Sequence, residues 1–401
     1  MRSNTTLRHA VFDDPAPLSE LFPAHPRRGV DRVLLSLVLI LLVIGSVMVF
    51  SAGFAYAASR YGSGYYFIKR QVIWAAIGLL VMAVASRFTP FFYRKCAVPL
   101  YVVTVLLLCA VLALGSALNG AQRWIAIGPI TVQPTEIAKL ALPLLLARYF
   151  TVFSDKVLQY GDGRRPFFRR APFVYGTLIP FSLIGLICLL VMLQKHLSGI
   201  IILGSIGLAV MFVAGTKPSY LTAFCSAAVG GVAALALFTD YTRRRIDIWL
   251  NPAAYPLDGG WQTLQGMMAI GSGGAFGLGL GNSRLKYNYV SEPANDFIFT
   301  ITCEEIGFFG ACLILILFAV LIYRGYSIGM RNPDPFSRVL AIGITTKVAI
   351  QFLLNIAVVT NSIPNTGISL PFFSYGGSSL VMLMLEMGIL LSISRSSVMK
   401  P

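Results

Sequence analysis

The stretch SEPANDFIFTITCEEIGFFG, residues 291–310, puts Asp296 at the mouth of a run that turns strongly apolar at Phe297, and Glu304 and Glu305 inside it. A carboxylate in hydrocarbon is expensive, so it marks a pathway, a site or an ion pair. Pro293 suits a first helical turn; a helix starting near Glu292 then holds Asp296 in that turn. Asp296, Thr300 and Glu304 would share one stripe at i, i+4 and i+8, with Glu305 pointing elsewhere. The helix dipole favours an ionised Asp296 and partial dryness the neutral acid, two effects of opposite sign. A rim acid facing water is placed to act as a general base or to bind a ligand. For Glu304, Glu305 and Glu386 the favoured reading is ion pairing inside the bundle, and Glu136 and Lys139, three residues apart, suit each other as partners.

A second set of chemically capable residues is cationic: Arg123, Arg243, Arg244, Arg245, Arg284 and Lys286. On a non-cytoplasmic face they suit a ligand with an anionic head, such as a lipid-linked phosphate. The plain alternative is Arg243 to Arg245 snorkelling to membrane lipid headgroups. The glycine run from Gly271 to Gly281 has no strand and helix around it, so it does not read as a nucleotide loop. It permits tight turns in a re-entrant or surface-lying segment, or it supplies backbone to a groove. No P-loop occurs, which argues against ATP-driven transport, and nothing calls for nucleic acid.

The elements that must hold these residues are membrane spans. The chain has 401 residues, 56% hydrophobic and 12% charged, with a mean hydropathy of +0.75. That charge cannot cover a soluble body of this size. Windows of about 20 residues give an all-α polytopic membrane protein with ten transmembrane helices. The spans fall at 33–54, 71–87, 97–118, 134–152, 173–193, 197–216, 219–239, 296–323, 339–361 and 373–394. Positive-inside bias puts both termini in the cytoplasm. Residues 1–30 form a disordered cytoplasmic tail, 31–395 the membrane domain, and 396–401 a cytoplasmic end. Residues 240–295 form one large extracytoplasmic loop, where function concentrates. The six cysteines show no disulfide framework or zinc spacing and read as packing residues.

Three long motifs carry a family resemblance. AQRWIAIGPITVQPTEIAKLALPLLLA (121–147), YNYVSEPANDFIFTITCEEIGFFG (287–310) and IPNTGISLPFFSYGGSSL (363–380) together resemble the SEDS family of FtsW, RodA and SpoVE, closest to the FtsW and SpoVE branch. The resemblance implies a peptidoglycan glycosyltransferase that polymerises lipid II at the outer face of the cytoplasmic membrane. It implies a class B penicillin-binding protein and other divisome proteins as partners, at the division septum. Asp296 matches the family's essential acid, the base that activates the acceptor sugar's hydroxyl with inversion at the donor's anomeric carbon. Pyrophosphate leaves readily, so one base plus charge stabilisation can suffice. The cations above, or a divalent cation (Mg or Mn), would supply that stabilisation. In the first motif Arg123 is the leading candidate for substrate contact, with Gln122 beside it, and Trp124 reads as an interfacial anchor. Ser374 and Tyr375 read as polar contacts in the groove wall.

Two stretches depart from the family pattern. NPAAYPLDGGWQ (251–262) has Tyr255 for an acid, Asp258 for a glycine and Trp261 for a tyrosine, while Gln262 is retained. QKHLSG (194–199) has Lys195 for a proline and His196 for an acid, and a lone histidine there reads as solvated. Two other functions stay open beside the enzyme: a lipid II flippase that relays through Glu304, Glu305, Glu386 and Lys139, and a divisome scaffold.

Overall fold

A computed structural model describes residues 29–397 apart from 115, 119–120, 128–129, 159–170, 227–229, 231–239, 257–258, 288 and 290–292. The expected cytoplasmic tail and Asp258 lie outside the described residues. Helices dominate: α1 (Arg32–Tyr61), α2 (Tyr66–Ala85), α3 (Pro90–Leu114), α4 (Pro134–Val152), α5 (Ile179–Leu193) and α6 (Leu197–Val213). There follow α7 (Asp240–Leu250), α8 (Gly259–Ser272), α9 (Ile298–Met330), α10 (Pro335–Val359) and α11 (Gly377–Ser394). Among the described residues seven helices are long and apolar enough to cross a membrane, α5 counting with the π-helical turns before it as the 20 residues Val174–Leu193, which makes the chain a multi-pass membrane protein. The expected spans outside that count have simple reasons. Glu136, Lys139 and Arg148 load α4 with charge, α6 has 17 residues, and 227–229 and 231–239 lie outside the described residues.

One element departs from an all-helical chain. Residues 116–132 form a small antiparallel sheet in the order β1 (Ser116–Leu118), β2 (Ala121–Ile127), β3 (Ile130–Val132), with Trp124 opposite Ser116 and Val132 opposite Ile125. The expected third span, 97–118, therefore ends short, its helix stopping at Leu114 and its last residues joining β1.

At one end of the bundle α1 is capped by Asp31, whose Oδ1 accepts from Leu34 N at 2.8 Å and whose Oδ2 accepts from Arg324 Nε of α9 at 2.8 Å. The opposite end, where α1 stops and α9 begins, carries the sheet and the long loop; we term it the cavity end. The most enclosed helix is α10, packed against α4, α6 and α9. Its Lys347 is buried and pairs with Glu386 of α11 at 2.8 Å, as a charge withdrawn from water requires.

The glycine run folds back against α9. Gly307, at φ 69 and ψ −171, breaks that helix. Leu278 N and Gly279 N donate to the carbonyls of Glu304 and Glu305 at 2.9 and 3.0 Å, and Phe308 N donates to Gly274 O at 2.9 Å. A Cβ on Gly273 would stand 2.2 Å from Cys303 O, and one on Gly307 2.2 Å from Gly277 N. Irregular backbone inside an apolar bundle is tolerated when protein groups satisfy it in this way. The glycines therefore allow backbone to meet backbone, the re-entrant reading rather than the groove-lining one.

The two Glu residues finish the joint. Glu304 accepts from Ser283 Oγ at 2.5 Å and from Arg284 N at 3.0 Å. Glu305 accepts from Ser51 Oγ of α1 at 2.6 Å and from Lys286 Nζ at 3.1 Å. Gly273→Ala is expected to destabilise the protein by about 1–3 kcal/mol through this backbone clash. Gly271→Ala, where a Cβ meets nothing within 4 Å, is expected to be neutral. Heat-induced loss of the monodisperse protein in detergent measures both.

Candidate active site at the cavity end

Asp296 is half-buried and does not lie in the first turn of α9, which starts two residues later, at Ile298. The carbonyls before that helix are held from elsewhere in the chain. In a continuing helix the carbonyls of residues 294, 295 and 296 would accept from the N–H groups four residues on. Here Tyr375 N donates to Ala294 O at 2.8 Å, Ser374 Oγ donates to Asn295 O at 2.9 Å, and Asn355 Nδ2 donates to Asp296 O at 2.9 Å. Residues 293–297 form turns, with Ile298 N reaching back to Asn295 O at 3.4 Å, so Asp296 stands off the helix that carries Thr300 and Glu304 and the expected stripe of the three does not exist. Thr300 Oγ1 donates to Phe297 O at 2.7 Å, while Glu304 is turned to the glycine loop.

Asp296 lines a polar cavity of about 400 Å³, within the range of small-ligand sites. Arg70 and Trp74 from α2, Arg123 and Trp124 from β2, Glu136 and Lys139 from α4, and His196 from the α5–α6 turn share its wall. So do Gln351 of α10 and Tyr375. Arg123 donates to the carbonyls of Gln194 (3.5 Å) and Lys195, tying the sheet to the α5–α6 turn. Lys139 Nζ meets Glu136 Oε1 at 2.6 Å, which leaves Glu136 Oε2 buried with no hydrogen-bond partner among the described residues. Arg70 lies over the Tyr66 ring at 4.4 Å from its centroid and hydrogen-bonds Tyr375. Burial raises the Tyr375 pKa, and Arg70 opposes that shift.

His196 is not solvated as its sequence context implied. It is buried at the N-terminus of α6, with Nδ1 lacking a hydrogen-bond partner. Burial, followed by the Lys139 and Arg123 cations, pushes its pKa from 6.5 down to about 3. The ring is therefore neutral at physiological pH. On the other side of Asp296, a Cβ on Gly367 (φ +66) would stand 3.2 Å from Asp296 Oδ2. The bare Cα there leaves room for the carboxylate.

The other expected site residues fall elsewhere. Lys286 is buried on Glu305 and is not a surface cation, because the glycine loop folds inward and carries it along. Arg284 is exposed and meets Glu304 through its backbone. Arg243 and Arg244 are exposed on α7, whereas Arg245 donates to Asn365 O at 2.8 Å and so holds the loop that leads to Gly367. Ser374 lies beneath the cavity, its Oγ engaged with Asn295 O and with Leu370 N at 2.7 Å. Gln122 belongs to β2, and its side chain lies outside the described residues; Gln262 on α8 is half-buried and does not line the cavity. Tyr255 closes a short turn after α7, and Trp261 Nε1 donates to Tyr289 O at 3.0 Å. Sequence reading passed over Arg70, Gln351 and Asn355. A usable clue was present for the last two: polar residues four apart on an otherwise apolar span.

Residues 31–399 match the FtsW/RodA/SpoVE model, described as cell cycle proteins. The chain is 38% identical to stage V sporulation protein E of Bacillus subtilis over 370 residues, 92% of this chain and 97% of that protein. It is 37% identical to a probable peptidoglycan glycosyltransferase FtsW of Geobacter sulfurreducens over 367 residues, 91% of this chain and 95% of that one. In fold it is similar to a chain of a peptidoglycan synthase complex that coordinates polymerization and crosslinking, with a TM-score of 0.74, 27% identity, and 92% of this chain against 99% of that chain. The crystal structure of the rod shape determining protein RodA of Thermus thermophilus gives a TM-score of 0.66 at 27% identity, with 92% and 98% covered. Matched along almost its whole length in sequence and in fold, the chain belongs to the FtsW/RodA/SpoVE family of cell cycle proteins.

Proposed function

We propose that this chain is a peptidoglycan glycosyltransferase that polymerises lipid II for cell division. The observation that carries the reading is Asp296 standing at a polar cavity with Arg70, Arg123 and Lys139 on its wall. In this reading the carboxylate of Asp296 takes the proton from the 4-hydroxyl of the acceptor GlcNAc. The freed oxygen forms a bond to the anomeric carbon of the donor MurNAc as the bond to pyrophosphate breaks, and the linkage inverts. Undecaprenyl pyrophosphate leaves with the electron pair. A glycosidase spends a second carboxylic acid on protonating its leaving group; pyrophosphate needs charge stabilisation instead, which fixed cations in a partly dry site supply.

The topology that goes with this reading has ten spans and both termini in the cytoplasm, which places the cavity end at the outer face. Lipid II then enters from the outer leaflet, and a class B penicillin-binding protein crosslinks the product at the septum. The relative that coordinates polymerization and crosslinking in one complex supports such a partner. Among the described residues no three His, Cys, Asp or Glu side chains stand together to hold a divalent cation, and Lys139 already occupies one oxygen of Glu136. No step above runs through a metal. A relay of buried acids, as a flippase would use, has less support: Glu304 and Glu305 hold the glycine loop, and Glu386 is paired with Lys347.

Asp296→Asn is expected to lower lipid II polymerisation by about 10²–10⁴-fold, the usual worth of a positioned base, while lipid II binding is retained. Gel analysis of glycan strands made by the chain with its transpeptidase partner, beside a binding assay, checks both halves. A variant that polymerises normally overturns the assignment.

His196 yields a pH prediction. Between about pH 3 and 6.5 the unfolded chain binds a proton there that the folded chain does not, so stability rises with pH across that window and falls as pH drops. The contribution is at most about 1.4 kcal/mol per pH unit. Melting curves should show that slope in the wild type and a flatter one in His196→Gln. The pH profile of turnover between 6 and 8 should keep its shape in the variant, because the imidazole stays neutral there.

A further inference from the structure

The geometry points to Asn355 as the residue that positions Asp296 for proton transfer, an inference that rests on Asp296 being the base. Asn355 is fully buried on α10, and its amide nitrogen donates to two carbonyls: Asp296 O at 2.9 Å and Ile368 O at 2.6 Å. An amide NH2 has two hydrogens, and both are engaged. One side chain thus joins the acid's own residue to the neighbour of Gly367, whose bare Cα faces the Asp296 carboxylate. The acid is gripped from behind, and the space in front of it is set by the same atom.

Asn355 has support along its own helix. One turn earlier, Gln351 Nε2 donates to both Ser369 O and Ser369 Oγ at 3.0 Å. One turn before that, Lys347 is locked to Glu386. Residues 347, 351 and 355 form a single stripe at i, i+4 and i+8 on α10. The segment before α9 and the loop at 367–369 are therefore both referenced to one enclosed helix. The other two grips on the acid segment, from Ser374 and Tyr375, come from a loop. Only donors of the right length suit position 355: an aspartate or a leucine roughly keeps the branching at Cγ without the hydrogens.

Because Asn355 does not line the cavity, it acts through Asp296 and not on substrate. A displacement of about 1 Å at a reacting group costs roughly 100-fold in rate, whereas binding by the cavity cations is untouched. The test is steady-state polymerisation of lipid II by the full chain with its transpeptidase partner, comparing wild type, Asn355→Leu and Asp296→Asn. The inference expects Asn355→Leu to lose about 100-fold in kcat with KM within twofold of wild type. Wild-type kcat, or a rise in KM with kcat unchanged, overturns it. If Asn355→Leu does not fold, Asn355→Ser, whose hydroxyl is too short to bridge both carbonyls, is measured against the same two outcomes, with the same loss expected. An inactive Asp296→Asn beside a fully active Asn355 variant sinks the positioning role alone. A fully active Asp296→Asn sinks the base assignment, and this inference with it.

Discussion

A polar group that this chain withdraws into its apolar bundle is costly unless it finds a partner inside the protein, because hydrocarbon offers none. That constraint shapes most of what is unusual here. The bent backbone at Gly307 is satisfied by the backbone of the glycine run. Lys347 is satisfied by Glu386, and Lys286 by Glu305. The turn that carries Asp296 is satisfied by donors from α10 and from residues 374 and 375. In each case the partner is distant in sequence, so the same bonds that remove a desolvation cost also fix the relative placement of remote segments.

The cavity follows from this. Among the described residues partnering there is incomplete: one buried oxygen of Glu136 and the Nδ1 of His196 have no hydrogen-bond partner. Three cationic side chains and two acids share its wall. Such a site, half-satisfied and electrostatically biased toward anions, suits a substrate whose head carries pyrophosphate and sugar hydroxyls. The surrounding structure bears the cost of holding it open, through α10 on one side and the sheet hooked to the α5–α6 turn on the other.

What sequence made legible was whatever depends on composition and local spacing. The apolar helices appeared where windows of hydropathy placed them, within several residues. Asp296 stood out because a carboxylate at the rim of a span is rare, and Glu136 with Lys139 suggested a pair that does form. What it hid depends on contacts across the chain. The turn that carries Asp296 ahead of α9 is tied to residues 355, 374 and 375, about 60 to 80 positions away. Lys286 looked like a surface cation because nothing local announces that its loop folds inward onto Glu305. The short strands between 116 and 132 carry too few residues for alternation to overrule a neighbouring helix, and His196 is buried where β2 and α4, distant in sequence, bring Arg123, Glu136 and Lys139 beside it.

The joint between the glycine run and α9 has a consequence for how this chain can vary over time. Backbone fits backbone there with no room for a side chain at Gly273 on one strand or Gly307 on the other, and Glu304 and Glu305 reach back to Ser283 and Lys286. A change on either side is unreadable without its counterpart. Residues 273–309 are therefore a single unit of inheritance: a chimera that borrows the long loop from a relative must also borrow the first turns of the helix behind it.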